Sequence, residues 1–296
     1  LFYIMFSYDL LADSGSTKCD WIILNPDHSI REEAFTMGFN PYFHSESFIA
    51  TAIKQNKELM TVKDQVSHIY YYGAGCSSPE LNVIVKRGLS HHFQEAEITV
   101  DHDLLGAAYA LYQGEPCICG ILGTGSNSCF FDGTQIHEKV PALGYILGDE
   151  GSGSYFGKKL LAGYLYHQLP EEISQDFKLK YEPTIRDVVD NVYVKPHANV
   201  YLASFVRFIS NHLEHPYIKE LLVSGMSDYL RTHVMCYENY QHVKLNLVGS
   251  VAYYFQDAIR EAGKEFGIEV GHIVKKPIDR LVEYHKKYVL TDTEAS

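Results

Sequence analysis

Apolar positions along the chain follow two rhythms. Short unbroken apolar runs, each closed by a turn of Gly, Ser, Thr or Asp, read as buried strands. "LLADSGSTKCDWIIL" gives strand, turn and strand from Leu10 to Leu24. "CICGILGTGSNSCFF" repeats the grammar from Cys117 to Phe131. "VKLNLVGSVAYYFQDAI" gives a strand ending at Gly249-Ser250 and then a helix. Between the first two, "SESFIATAIKQNKELM" has helical spacing with Ser45 or Ser47 as cap, and "VSHIYYYGAGC" is a strand ended by Gly73 and Gly75. "ELNVIVKRGLSHHF" is helical up to Gly88, and "AEITVDHDLLGAAYALYQG" passes from strand to helix near Asp103. From Ser154 to about Asn239 the spacing is helical throughout; a short strand and a final helix after Pro277 close the chain. Strands alternating with helices predict an α/β fold. The two glycine hairpins suggest a duplication, with each half opening on a phosphate loop.

Composition narrows the function classes. The 296 residues are 46% hydrophobic, enough for two domains. A net charge of -12 without a basic stripe argues against nucleic acid. It leaves room for an anionic small ligand, which backbone N–H groups and a metal ion can hold. Six cysteines are too few for a disulfide scaffold; Cys117 and Cys119 read as strand residues, and reduced thiols suit a cytoplasmic protein. The opening "LFYIMFSYDLL" is too short to span a bilayer and, lacking a basic stretch, makes a poor signal peptide. It reads as a lead-in to the first strand, and no membrane association is expected.

Chemistry concentrates at four places. Asp13-Ser14-Gly15-Ser16-Thr17 follows a strand directly. Gly15 lets backbone approach a ligand, Ser16 and Thr17 offer hydroxyl donors, and Asp13 could hold hydrated Mg2+. An ordinary hairpin turn uses the same residue types, so this loop alone decides nothing. Gly123-Thr124-Gly125-Ser126-Asn127 repeats the physics as an anion nest, which makes coincidence harder to sustain. Asp103, at a strand-to-helix junction, could accept a proton from a substrate hydroxyl or simply cap the helix. Asp101 and His102 compete with it. Asp149, in "GDEGSGS", could take sugar hydroxyls ahead of a long helix. The 15 histidines form no metal motif, and no G-x-S-x-G elbow supports a hydrolase.

In order, "DSGSTK", "DLLGAA", "GTGSNS", "GDEGSGSYFG" and "LVGSVA" make the chain resemble the sugar-kinase, actin and heat-shock-chaperone ATPase superfamily. Within it the chain is similar to the N-acetylglucosamine kinases and to the BadF/BadG/BcrA/BcrD ATPases. The resemblance implies two ribonuclease H-like (actin-like ATPase) domains, duplicated and hinged around ATP, with a helical insertion in the second. The corresponding boundaries are 1–114 plus 275–296 for the first domain and 115–274 for the second, with the insertion at about 155–240. It implies Mg2+ at Asp13, phosphates along Gly15, Ser16, Thr17, Thr124 and Gly125, and adenosine against Gly249-Ser250. Asp103 falls on the catalytic base, and Asn40, Ser126, Asn127 and Asp149 fall on amino-sugar contacts. The expected reaction is ATP-dependent phosphorylation of N-acetylglucosamine or a similar amino sugar at its 6-hydroxyl, by an enzyme for which a homodimer is the one assembly kept open.

Two departures qualify the resemblance. Ala142 and Leu143 stand where the glucosamine kinases often carry a Gly-Trp pair, so one sugar-facing wall differs. Members of the BadF/BadG/BcrA/BcrD group that act as iron–sulfur activators need cysteines bridging two subunits at a cluster, and no cysteine here sits in a matching motif. The alternative reading, a conformational ATPase coupled to a partner protein, would show ATP turnover indifferent to sugars.

Overall fold

The run Leu10-Leu11-Ala12 is buried on both sides, and its side chains alternate between two different cores. That is the signature of a strand inside a sheet covered on both faces. In the computed structural model, which describes residues 7–291, this strand is the centre of the first of two compact units. The lead-in at residues 1–6 lies outside the described residues.

The first unit comprises Leu1–Tyr112 and Pro277–Ser296. Its strands are β1 (Tyr8–Ser14), β2 (Lys18–Leu24), β3 (Ile30–Met37), β4 (Val66–Gly73) and β5 (Glu97–His102). They lie in the order β3-β2-β1-β4-β5. β1–β2 and β2–β3 are antiparallel, whereas β1–β4 and β4–β5 are parallel. Helices Glu46–Lys54 and Pro79–Ser90 put Ile49, Ile53, Val85 and Leu89 into the core with Leu10, Ala12, Trp21 and Tyr71. The other core joins Leu11, Ile22 and Tyr72 to Ala110 of helix Asp103–Leu111 and to Leu281 and Val282 of helix Ile278–Tyr288.

The second unit, Gln113–Lys276, has the same strand order and the same senses. Its strands are β6 (Cys117–Leu122), β7 (Ser126–Phe131), β8 (Ile136–His137), β9 (Leu245–Val248) and β10 (Val270–Val274). β6–β7 and β7–β8 are antiparallel; β6–β9 and β9–β10 are parallel. Between Gly153 and Val234 every element is helical. Phe156, Phe177, Phe208, Met226 and Tyr229 from this block share one core with Ile118, Leu245 and Leu247 of the sheet.

Two local expectations change. The spacing over "SESFIATAIKQNKELM" runs through what are two helices, Glu46–Lys54 and Lys57–Val62. The break sits at Asn56, whose side chain accepts from the Leu59 amide and starts a new helix. Asp103 is not a cap: His102 occupies that position, and Asp103 is the first helical residue.

Candidate active site

In the first unit the parallel strands β1, β4 and β5 end at one edge. Ser14, Gly73 and His102 share a register row, and Asp13, Tyr72 and Asp101 share the row before it. Ligands of open α/β sheets collect at such carboxyl ends. Asp13 is the penultimate residue of β1 and stands opposite Asp20 across the hairpin. Its carboxyl is pushed up to about 7, first by burial, then by the charges of Asp103 and Asp20, with Lys18 pulling the other way. Asp103 is raised as well, by burial, while the neighbouring His102 and the Leu104 amide draw it down. His102 Nε2 lies 3.5 Å from Asp103 Oδ1. The fold therefore brings two distant carboxylates, Asp13 and Asp103, into one electrostatic neighbourhood.

The turn between β1 and β2 is closed by the Gly15 amide donating to Lys18 O at 3.0 Å. Gly15 and Thr17 are exposed and Ser16 is half-buried, so this turn faces outward. Its backbone is pinned from behind. Ser14 Oγ accepts from the Phe39 amide at 3.1 Å, and Ser14 O accepts from the Ala74 amide at 2.8 Å. Gly38 packs so closely that a Cβ on it would run into the Gly15 carbonyl. Asn40, on the same segment, holds a tight turn: its carbonyl accepts from Phe43 and His44, and its Oδ1 accepts from Tyr42. Gly75 packs directly against the Asn40 amide.

In the second unit the carboxyl ends of β6 and β9 lie side by side, with Ile121 paired to Val248. The Gly123–Gly125 turn is closed by Gly123 N donating to Gly125 O at 3.0 Å. The first amides of helix Gly153–Leu165 donate to it: Gly153 N to Gly123 O at 2.8 Å and Ser154 N to Thr124 O at 3.0 Å. Those bonds occupy the loop's carbonyls. A Cβ on Gly123 would meet nothing within 4 Å. Gly249, with φ +114°, stacks its backbone on Leu122 and Gly123, and a Cβ there would strike the Leu122 carbonyl. Ser250 then opens helix Ser250–Tyr254. The combined strain and clash predict that Gly249→Ala loses about 3 kcal/mol of stability. Urea unfolding checks this, as a fall in midpoint with unchanged slope.

Asp149 adopts a left-handed backbone, φ +60°, uncommon for a side chain. The turn aims its carboxylate at the second loop. Oδ1 accepts from the Ser126 amide at 3.2 Å, and Ser154 Oγ lies 3.5 Å from Oδ2. A Cβ on Gly125 would sit 3.0 Å from both carboxylate oxygens, which explains the bare residue there. Burial raises the Asp149 carboxyl, against the Ser126 and Ser154 hydrogen bonds. Ser126 Oγ is buried with no hydrogen-bond partner. A buried hydroxyl left so costs about 1–3 kcal/mol, which a ligand can recover. Asn127 is buried too; its Oδ1 accepts from the Ser128 amide, and its carbonyl from the Tyr229 hydroxyl. Leu143, over half exposed, packs against Gly148 just ahead of Asp149.

The fold thus gathers Asp13, Gly15, Ser16, Thr17, Asn40 and Asp103 in one unit and Thr124, Gly125, Ser126, Asn127, Asp149, Gly249 and Ser250 in the other. Gly38, Glu150, Tyr229 and His233 also shape these loops, and sequence reasoning passes over them. Gly38 was signalled only by standing two residues before Asn40 and Glu150 only by following Asp149; Tyr229 and His233 are joined to the site by tertiary packing alone.

No family profile and no curated protein sequence matches the chain. Among solved structures, a proposed N-acetylglucosamine kinase from Porphyromonas gingivalis is 35% identical, with a TM-score of 0.87 over 94% of this chain and 99% of that one. The chain belongs to the sugar kinases of the actin-like ATPase superfamily. Two further sugar kinases share the fold at low identity. One is a proposed N-acetylglucosamine kinase from Chromobacterium violaceum (14% identity, TM-score 0.61, 95% of this chain and 99% of that one). The other is a ROK-family glucokinase from Streptomyces griseus in complex with glucose and AMPPNP (13%, 0.57, 95% and 99%). Among the described residues of this sugar kinase, no helix is long and apolar enough to cross a membrane.

Proposed function

We propose that this sugar kinase transfers the γ-phosphoryl group of ATP to the 6-hydroxyl of N-acetylglucosamine or a closely similar amino sugar, on two duplicated ribonuclease H-like domains. The observation that carries the reading is the half-buried carboxylate pair at the end of the first sheet, Asp13 and Asp103, each raised by partial loss of water and the first further raised by the second. Such a pair is costly to keep unless each member has separate work.

Asp103 is the general base: it receives the proton of the attacking hydroxyl, and burial leaves its carboxyl more basic than a free aspartate. Asp13 would hold Mg2+. The donor chemistry suits that ion: Asp13 offers hard carboxylate oxygens near the end of β1, with the Asp103 carboxylate close enough to raise it. Mg2+ takes one or two carboxylates and completes its shell with water and phosphate. When bound, it would supply positive charge for the phosphoryl group in flight. The Gly15–Thr17 and Gly123–Gly125 turns offer backbone and hydroxyl donors to phosphate oxygens. Gly249 and Ser250 would flank the adenosine. Ser126, with its unsatisfied hydroxyl, Asn127, Asp149 and Asn40 would take the sugar.

A coupled ADP-release assay across N-acetylglucosamine, N-acetylmannosamine, glucosamine and glucose tests the proposal. The expected result is turnover dependent on sugar and strongest with one acetylated amino sugar. ADP release at an equal rate without any sugar would refute it.

A further inference from the structure

Helix Pro216–Tyr229 ends in a π-helical turn, Leu230–Val234. Such turns cost backbone geometry and recur at functional sites. Here the turn carries His233, only 3% exposed, more than eighty positions from the loops it touches. The imidazole Nε2 lies 3.1 Å from Glu150 Oε2, the residue beside Asp149. The His233 carbonyl accepts from Ser128 Oγ at 2.5 Å, on β7 next to Asn127. One turn above, Tyr229 stacks on the imidazole with centroids 5.1 Å apart, and its hydroxyl donates to the Asn127 carbonyl at 3.2 Å. Gly151, beyond Glu150, lies flat against Tyr229, where a Cβ would come within 2.8 Å. A single helical turn therefore grips both loops proposed to hold the acceptor sugar.

We infer that His233 is a positioning residue for the acceptor: it fixes Glu150, and through it the left-handed turn that aims Asp149, while its backbone carbonyl fixes Ser128, the residue next to Asn127. This rests on the sugar-site reading above. The hydrogen bonding selects one tautomer. With the proton on Nε2, donated to the Glu150 carboxylate, Nδ1 is a bare buried lone pair without a partner. Burial holds the imidazole below its ordinary pKa against the pull of Glu150 and Asp149, so the ring works as a neutral donor. A glutamine amide can supply the same N–H to the same carboxylate; an alanine supplies nothing and leaves Glu150 without that donor.

The test compares wild type, His233→Ala and His233→Gln in the full-length kinase, with steady-state kinetics for each substrate and melting curves with and without N-acetylglucosamine. His233→Ala is expected to raise KM for the sugar about tenfold and to shrink the sugar-induced rise in Tm. Its KM for ATP and its kcat should stay within about twofold, the pattern of lost acceptor binding. His233→Gln is expected to recover most of the sugar affinity. An unaffected sugar KM in a folded His233→Ala would overturn the inference and leave the kinase reading standing. So would equal losses against sugar and ATP with a lowered Tm, which would mark plain destabilisation. Wild-type protein that neither turns over nor is stabilised by the sugar would remove both.

Discussion

Asp103→Asn is expected to fold normally, bind sugar and ATP near wild-type strength, and lose ~10²-fold to 10⁴-fold in kcat, the scale of a general base. The amide matches the carboxylate in size and can still accept from the Leu104 amide that now meets Asp103. It cannot take a proton. Circular dichroism should be unchanged and the sugar KM should move less than a few-fold, because the interaction removed is made as the hydroxyl is deprotonated. Turnover within tenfold of wild type would remove Asp103 from the chemistry, leaving its burial without a functional reason.

Asp13→Asn is expected to separate activity from stability. Activity should fall at least ~10²-fold, since the charge proposed to hold the ion is gone. Stability of the unliganded protein should rise, and the sign follows from the pKa. Burial lifts the Asp13 carboxyl from 3.8 to about 7. A carboxyl raised in the fold favours the native state while protonated; that contribution is whole below pH 3.8 and is lost as pH climbs through 7. A shift of this size corresponds to about 4 kcal/mol at most, and the water still reaching the half-buried carboxyl reduces it to ~1–2. Melting curves at pH 8 should place Asp13→Asn above wild type, with the gap closing toward pH 4. Identical pH dependence in the two proteins would show that Asp13 is not strained by its surroundings. Trading stability for a charge at the site is a familiar cost of function.

Sequence and structure agree best where local chemistry decides the outcome. The Gly15–Thr17 and Gly123–Gly125 turns were legible because unbroken apolar runs on both sides leave little besides a hairpin. Asp103 was legible because β-branched residues give way to "DLLGAA" within one short stretch, although the helix begins on Asp103 itself and His102 takes the cap. The Asn56 break was hidden because helical periodicity averages over a cap that keeps the phase. What distant packing decides had no local signature. Gly38 must be bare because the Gly15 carbonyl lies against it, and nothing in "TMGFN" announces that contact. His233 reads in sequence as one more histidine on a helix; only the fold sets it beside Glu150 and Ser128. Asp149 lay between: the glycine-rich setting marked it, but its positive φ and its grip on Ser126 needed coordinates.

The fate of the γ-phosphoryl group tests the central claim most directly. The protein is incubated with γ-labelled ATP, Mg2+ and N-acetylglucosamine, and the products are separated and read by phosphorus NMR. The account predicts label on the 6-oxygen of the sugar, with inorganic phosphate at trace level and little ATP consumed when sugar is withheld. Label emerging as inorganic phosphate at one rate with or without the sugar would contradict it.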